Sequence, residues 1–194
     1  QRAAPRHAQP ESVEHDLQIT FLTAAKGGVE NLRVTENGKS RTIEVKIPAG
    51  IGDTAQLRVR GGGGSDGSDL MLRIRVGAHP LFRRGDGPDA GKSLDLYLDL
   101  PLTITEAALG ATVRVPTLGG SAELKIPPGT STGRRLRLKG QGIVPERGDA
   151  GDLYVIAKVL APDPSILSES DREALARIGS RTPSPRQGPD WEAA

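Results

Sequence analysis

The sequence predicts an all-β chain: two small β-sandwich domains in tandem, made by an internal duplication, followed by a short C-terminal helix. Three observations carry this reading. Apolar and polar residues alternate in short runs, Gly, Pro and Asp interrupt the runs about every ten residues, and the whole pattern occurs twice. Alternation of period two puts every second side chain on one face of a strand, and evenly punctuated short runs mark antiparallel sandwiches. Gly (25) and Pro (15) make up about 21% of the 194 residues, below the roughly 25–30% of low-complexity chains, so the chain folds. With two Phe, two Tyr and one Trp, its cores must be aliphatic.

Residues 1–15 show no apolar period and read as a linker. Leu17, Ile19 and Phe21 then share one face of a leading strand. The segment 21–34 (FLTAAKGGVENLRV) reads as a short kink followed by a strand; it keeps Thr23 and Gly27, but Lys26 stands where a capping acid belongs, a weak helix start. Further strands follow at Ile43–Ile47, Leu57–Val59 and Leu70–Val76. The same order begins again with Leu94–Leu100 and continues through 102–115, where Thr103 and Glu106 form a capping box and Gly110 stops the helix. Strands follow at Val113–Val115, Leu124–Ile126, Leu136–Leu138 and Leu153–Val159. VKIPAGIGDTAQLRVRGGG (45–63) aligns without a gap on LKIPPGTSTGRRLRLKGQG (124–142), at a spacing of 79, and each is followed by a similar closing strand, 68–76 and 151–159. The predicted domains are therefore 16–87 and 92–162, each near the size at which a single core is marginal.

Pro162 and Pro164 end the second sandwich, and 163–179 reads as a short helix capped by Ser168 or Ser170 and stopped by Gly179. Its apolar residues Leu167, Ala174, Leu175 and Ile178 form one narrow stripe. So short a helix is marginal alone in water, so the stripe needs a surface: its own second sandwich or a second copy of the chain. Residues 180–194 are Pro-rich and unpatterned, a disordered tail by composition.

Several function classes drop out. Without Cys there are no disulfides, thiolate metal sites or cysteine nucleophiles. No apolar run approaches a membrane span, and a cytoplasmic chain is expected. His7, His15 and His79 have no ligand spacing, so no metal or other cofactor is expected. The pattern Gly62-x-Gly64-x-x-Gly67 leads into a strand rather than a helix and reads as a turn, not a nucleotide loop. Arg84-Gly85-Asp86 and Arg147-Gly148-Asp149 read as turn chemistry. No enzyme is expected. The net charge is only +2, and basic residues at alternate positions (Arg58/Arg60, Arg73/Arg75, Arg135/Arg137/Lys139) suit solvated strand faces. Duplex DNA is the alternative partner, opposed by the lack of aromatics interleaved with them.

The twin K-I-P-x-G strands at 46–50 and 125–129, H-P-L-F at 79–82, L-D-L-Y-L-D-L-P-L at 94–102, E-A-A-L-G-A-T-V-R-V-P-T at 106–117 and G-D-L-Y-V at 151–155 together resemble the C-terminal substrate-binding region of DnaJ-type co-chaperones. The resemblance spans roughly 16–178. It implies a module that holds exposed hydrophobic segments of unfolded clients for a DnaK-type chaperone, in the zinc-free class because the Cys-bearing insertion is missing. His79-Pro80 is followed by Leu81, so the His-Pro-Asp triplet of a J domain does not occur here. The resemblance implies a client groove in the first repeat, between the leading strand and the strand after the kink, lined by Ile19, Phe21, Leu32, Val34 and Phe82. Both Phe of the chain fall in that set. Alternation alone leaves core placement open for all five. The resemblance further implies basic residues for the acidic tail of the partner chaperone, with Arg33, Arg41 and Lys46 as candidates, and a weak homodimer through the C-terminal helix.

Overall fold

The computed structural model describes residues 13–36, 39–62, 69–85 and 90–186. Most of the expected linker, the glycines of 63–68, Asp86 and the end of the tail lie outside the described residues. The first unit consists of β1 (Val13–Ile19), α1 (Phe21–Lys26), β2 (Gly28–Glu36), β3 (Lys39–Ile47), β4 (Gln56–Val59) and β5 (Leu70–Val76). β6 (Phe82–Arg84) leads into the second: β7 (Leu96–Thr103), α2 (Ile104–Leu109), β8 (Ala111–Thr117), β9 (Gly120–Ile126), β10 (Arg135–Leu138) and β11 (Leu153–Leu160), with α3 (Glu169–Gly179) last. A three-stranded sheet, β1-β5-β4, opposes the β2-β3 ribbon; a four-stranded sheet, β10-β11-β7-β6, opposes the β8-β9 ribbon. The all-β expectation holds, and no helix among the described residues is long and apolar enough to cross a membrane.

Several expectations need correction. β1 begins at Val13, paired with Leu70, so the strand enters the segment read as linker. The sheets are mixed: β1 runs parallel to β5 and β7 parallel to β11. Alternation is the same in both directions, and the first and last strands of each unit are far enough apart in sequence to pair in parallel. β6 pairs antiparallel with β7, Phe82 opposite Leu98, so 82–84 belongs to the second sheet rather than the first domain; the connection from 85 to 95 is short enough for local pairing. Finally, α1 starts one turn earlier than expected. Thr20 is its N-cap, its side chain accepting the Thr23 N–H at 3.0 Å, and Phe21 therefore opens the helix instead of ending the strand.

The two units repeat in detail. Asp69 accepts the Gly61 N–H (3.0 Å) and pairs with Arg58; Asp152 accepts the Gly140 N–H (2.7 Å) and pairs with Arg137 at 2.5 Å. These backbone hydrogen bonds first, then the arginines, hold both carboxyls below the usual aspartate range. Thr103 caps α2 as expected, with Glu106 accepting the Thr103 N–H at 2.8 Å. Gly27 and Gly110 end the two helices at φ 75° and 81°; a Cβ at Gly110 would lie 2.9 Å from the Ile126 carbonyl oxygen. Ser168 caps α3 through a capping box with Asp171, and Gly179 is its last residue rather than its stop.

Two apolar cores result. Leu17, Ile19, Ala24, Val34, Val45, Ile47, Leu70, Leu72 and Ile74 form the first. The second gathers Phe82, Leu96, Leu98, Leu102, Val115, Leu124, Ile126, Ile143, Leu153, Val155 and Ala157, together with Phe21 and Ala25 of α1. A six-residue helix thus gives one face to each core, and Val76 packs against both. The units are joined through α1.

Candidate functional site

A hollow of about 420 Å³ opens where β1 passes into α1, lined by residues 18–22, Glu30 and residues 77–79. Its floor is apolar, with Ile19 and Phe21 only 3% and 6% exposed, and Leu22, 43% exposed, stands at its rim. The Gly77 N–H donates to the Ile19 carbonyl at 2.9 Å and fixes the back wall. His79 lies 5.4 Å from the Phe21 ring and 5.1 Å from the Phe82 ring, centroid to centroid. Its Nδ1 accepts the N–H groups of Leu81 (3.1 Å) and Phe82 (3.2 Å), which orients the imidazole. Glu30, on β2, accepts a hydrogen bond from the Thr23 hydroxyl at 3.2 Å. Among the described residues β1 pairs only with β5 and β2 only with β3, so the hollow sits beside strands with one partner each.

Of the five residues assigned to a groove, two line this hollow. Leu32 is half-buried and Val34 buried, both against the first core. Phe82 is buried on the second sheet, stacked 6.5 Å from Phe21, and lines a separate hollow of about 200 Å³ with residues 79–81, Arg83 and Asp99. Sequence reasoning missed Gln18, Leu22, Glu30 and His79. One signal was available: Glu30 breaks the apolar alternation of β2.

Arg33 and Lys46 are exposed on the outer face of the β2-β3 ribbon, Lys46 3.9 Å from Glu146. Arg41 lies on the inner face, opposite Val34; its guanidinium donates to the Gly62 carbonyl while its Nε is buried with no partner among the described residues. That placement removes Arg41 from a solvent-facing basic patch. Leu167, Ala174, Leu175 and Ile178 line a second hollow, about 440 Å³, with residues 103–105, residues 160–162, Ile166 and Asp171. Leu160, Ile166 and Ile178 remain 57–72% exposed there.

The expectation that no aromatics interleave with basic residues also needs correction. On the outer face of the second sheet, strand register puts Arg137, Tyr154, Tyr97 and Arg83 in one row. The tyrosine rings stack at 5.2 Å, and Arg83 and Arg135 lie over Tyr97 at 5.2 and 5.7 Å. The two rings are far apart in sequence, so only strand pairing brings them together.

Comparison with known proteins sets this geometry in context. The chain is 40% identical over 150 residues to a protein named curved DNA-binding protein from Coxiella burnetii, covering 75% of this chain and 44% of that one. It is 44% identical over 143 residues to chaperone protein DnaJ 1 of Streptomyces avermitilis (70% and 34%) and 43% identical over 153 residues to chaperone protein DnaJ of Geobacillus thermodenitrificans (74% and 38%). It spans less than half the length of each of these relatives. The profile of the DnaJ C terminal domain matches residues 13–162, a range that takes in both sandwiches and both ribbons, so the duplicated fold and the sequence agree that the chain belongs to the DnaJ C-terminal domain family.

Proposed function

We propose that this chain is the client-binding module of a cytoplasmic, non-enzymatic co-chaperone, holding exposed hydrophobic segments of unfolded proteins for a DnaK-type chaperone and serving the stress response. The observation that carries the reading is the apolar-floored hollow at the β1–α1 junction. An extended segment gains main-chain hydrogen bonds from an open strand edge whatever its sequence, and inserts an apolar side chain against Ile19, Phe21 and Leu22. Arg33 and Lys46, on the outer ribbon face, offer charge-assisted hydrogen bonds to an acidic tail of the partner chaperone.

Leu22 gives the test, because it is exposed and outside both cores. Leu22→Asp is expected to leave the melting temperature unchanged and to weaken capture of a heat-denatured model protein tenfold or more, the equivalent of about 1.5–3 kcal/mol of apolar burial. Undiminished capture by the folded variant would end this assignment.

A second copy of the chain is the proposed cover for the hollow beside α3, supported by the exposed Leu160, Ile166 and Ile178 at its rim. A dimer presents two client sites to one chain and gains avidity. Sedimentation across a concentration series is expected to show a weak dimer that Ile178→Glu abolishes; a wild-type chain monomeric throughout would leave the helix docked on its own sandwich alone. The row of Arg137, Tyr154, Tyr97 and Arg83 favours one further reading, duplex DNA on the outer face of the second sheet. Binding that falls steeply with salt would support it.

A further inference from the structure

We propose that the hollow at the β1–α1 junction is selective: it takes hydrophobic segments that carry a lysine or arginine, and Glu30 is the residue that selects them. This rests on the reading of the hollow as a client site. Its first support is the duplication. Both ribbons have the same register, Glu30 opposite Val45 in the first and Val113 opposite Leu124 in the second. Val113 packs against the second core, so Glu30 is a carboxylate at a position that the repeat fills with an apolar side chain. A charge placed on the inner face of a ribbon costs stability unless something there uses it.

The second support is how the carboxylate is held. Thr23 and Glu106 occupy the same third position of α1 and α2, each bonded through its backbone N–H to the capping threonine. In α2 the acid belongs to the helix cap. In α1 the threonine in its place donates its hydroxyl to Glu30 Oε1 at 3.2 Å, which ties down one oxygen of a carboxylate that lines the hollow and leaves the other for a ligand. The third is charge. Among the described residues no Lys or Arg lines the hollow and Glu30 is its only carboxylate, so a cation is complemented there and an acidic segment is repelled. The exposed Arg33 lies on the opposite face of the same ribbon, so an acidic tail and a cationic client would use different faces.

The test uses short leucine-rich peptides, identical except for Lys, Gln or Glu at the centre, labelled and titrated by fluorescence anisotropy. The wild-type chain is expected to bind the Lys peptide about two- to fivefold more tightly than the Gln peptide, as a part-exposed ion pair allows, and the Glu peptide most weakly, with the differences shrinking as salt rises. Glu30→Gln, which keeps the acceptor for Thr23, should bind all three as the wild type binds the Gln peptide, and Glu30→Lys should reverse the order. Equal affinity of the wild type for the three, or discrimination that survives in Glu30→Gln, overturns the selectivity and leaves client capture standing. No measurable binding of any of the three removes both.

Discussion

Replacing Arg84 with Met is expected to destabilise the chain by about 3–5 kcal/mol, because it strips the donor from several main-chain carbonyls at once and each buried polar group left unpaired costs about 1–3 kcal/mol. Arg84 is 8% exposed, and its hydrogen bonds among the described residues go to main-chain carbonyls. Its Nε donates to the Ser93 carbonyl at 3.0 Å, one Nη to those of Ile51 and Gly91, and the other to that of Gly50 at 2.9 Å. These acceptors come from the turn after β3 in the first unit and from the segment leading into β7 in the second. One planar cation therefore supplies the donors for two loops that have no strand to bond to, a task a guanidinium's fixed fork of N–H groups suits. Burial lowers its pKa, the cost of holding a charge there. Without it, among the described residues only the Gly91 oxygen keeps another donor, the Asp53 N–H at 3.1 Å. At about 2–4 °C per kcal/mol for a chain of this size, the melting temperature should fall by roughly 10 °C. The calorimetric transition should also broaden as the units lose their shared loop contact. Arg84→Lys, with fewer donors from a single point, should recover only part of the loss. A Met variant melting like the wild type would mean that water satisfies these carbonyls equally well.

Arg84 also shows where the sequence stopped being legible. Beside Gly85 and Asp86 it reads as turn chemistry. Only once β6 is known does its parity with Phe82 place it inward, under the sheet. The strands themselves were readable because their alternation is local, and the duplication because glycines, prolines and aspartates with fixed structural duties recur at one spacing. Asp69 and Asp152, each bonding a turn N–H and an arginine, are such residues. Strand direction was not readable, since parallel and antiparallel strands share one side-chain period. Nor was the helix start at Thr20: Thr20 and Thr23 stand three residues apart, and either can cap a turn. That one-turn difference moves Phe21 from a strand face to a helix face, and with it the shape of the candidate site. Glu30 was legible in principle, as an acid at an apolar position, but its meaning needed the register of both ribbons.

Phe21→Ala is expected to cost about 3–5 kcal/mol, as for other buried phenylalanines, with a fall in melting temperature comparable to that of the Arg84 variant. The ring is 6% exposed and lies in the second unit's core although it belongs to a helix of the first. It stacks on Phe82 with an interplanar angle of 16° and touches the His79 ring, which is itself held by the N–H groups of Leu81 and Phe82. Truncation removes contacts on both sides of the junction at once, and α1 has only six residues with which to relax around the void. Phe21 is also part of the floor of the hollow, so client capture should fall together with stability. Leu22→Asp, one residue along and at the rim, should lose capture alone. The contrast separates the two duties of this helix: joining the cores and flooring the site. Phe21→Asp sharpens it, because a carboxylate in the apolar core beside Phe82 carries a large desolvation cost and should unfold the junction. If that variant instead melts within a few degrees of the wild type and loses only capture, the ring faces the client rather than the core, and the joint between the units must rest on Ala25, Val76 and Arg84.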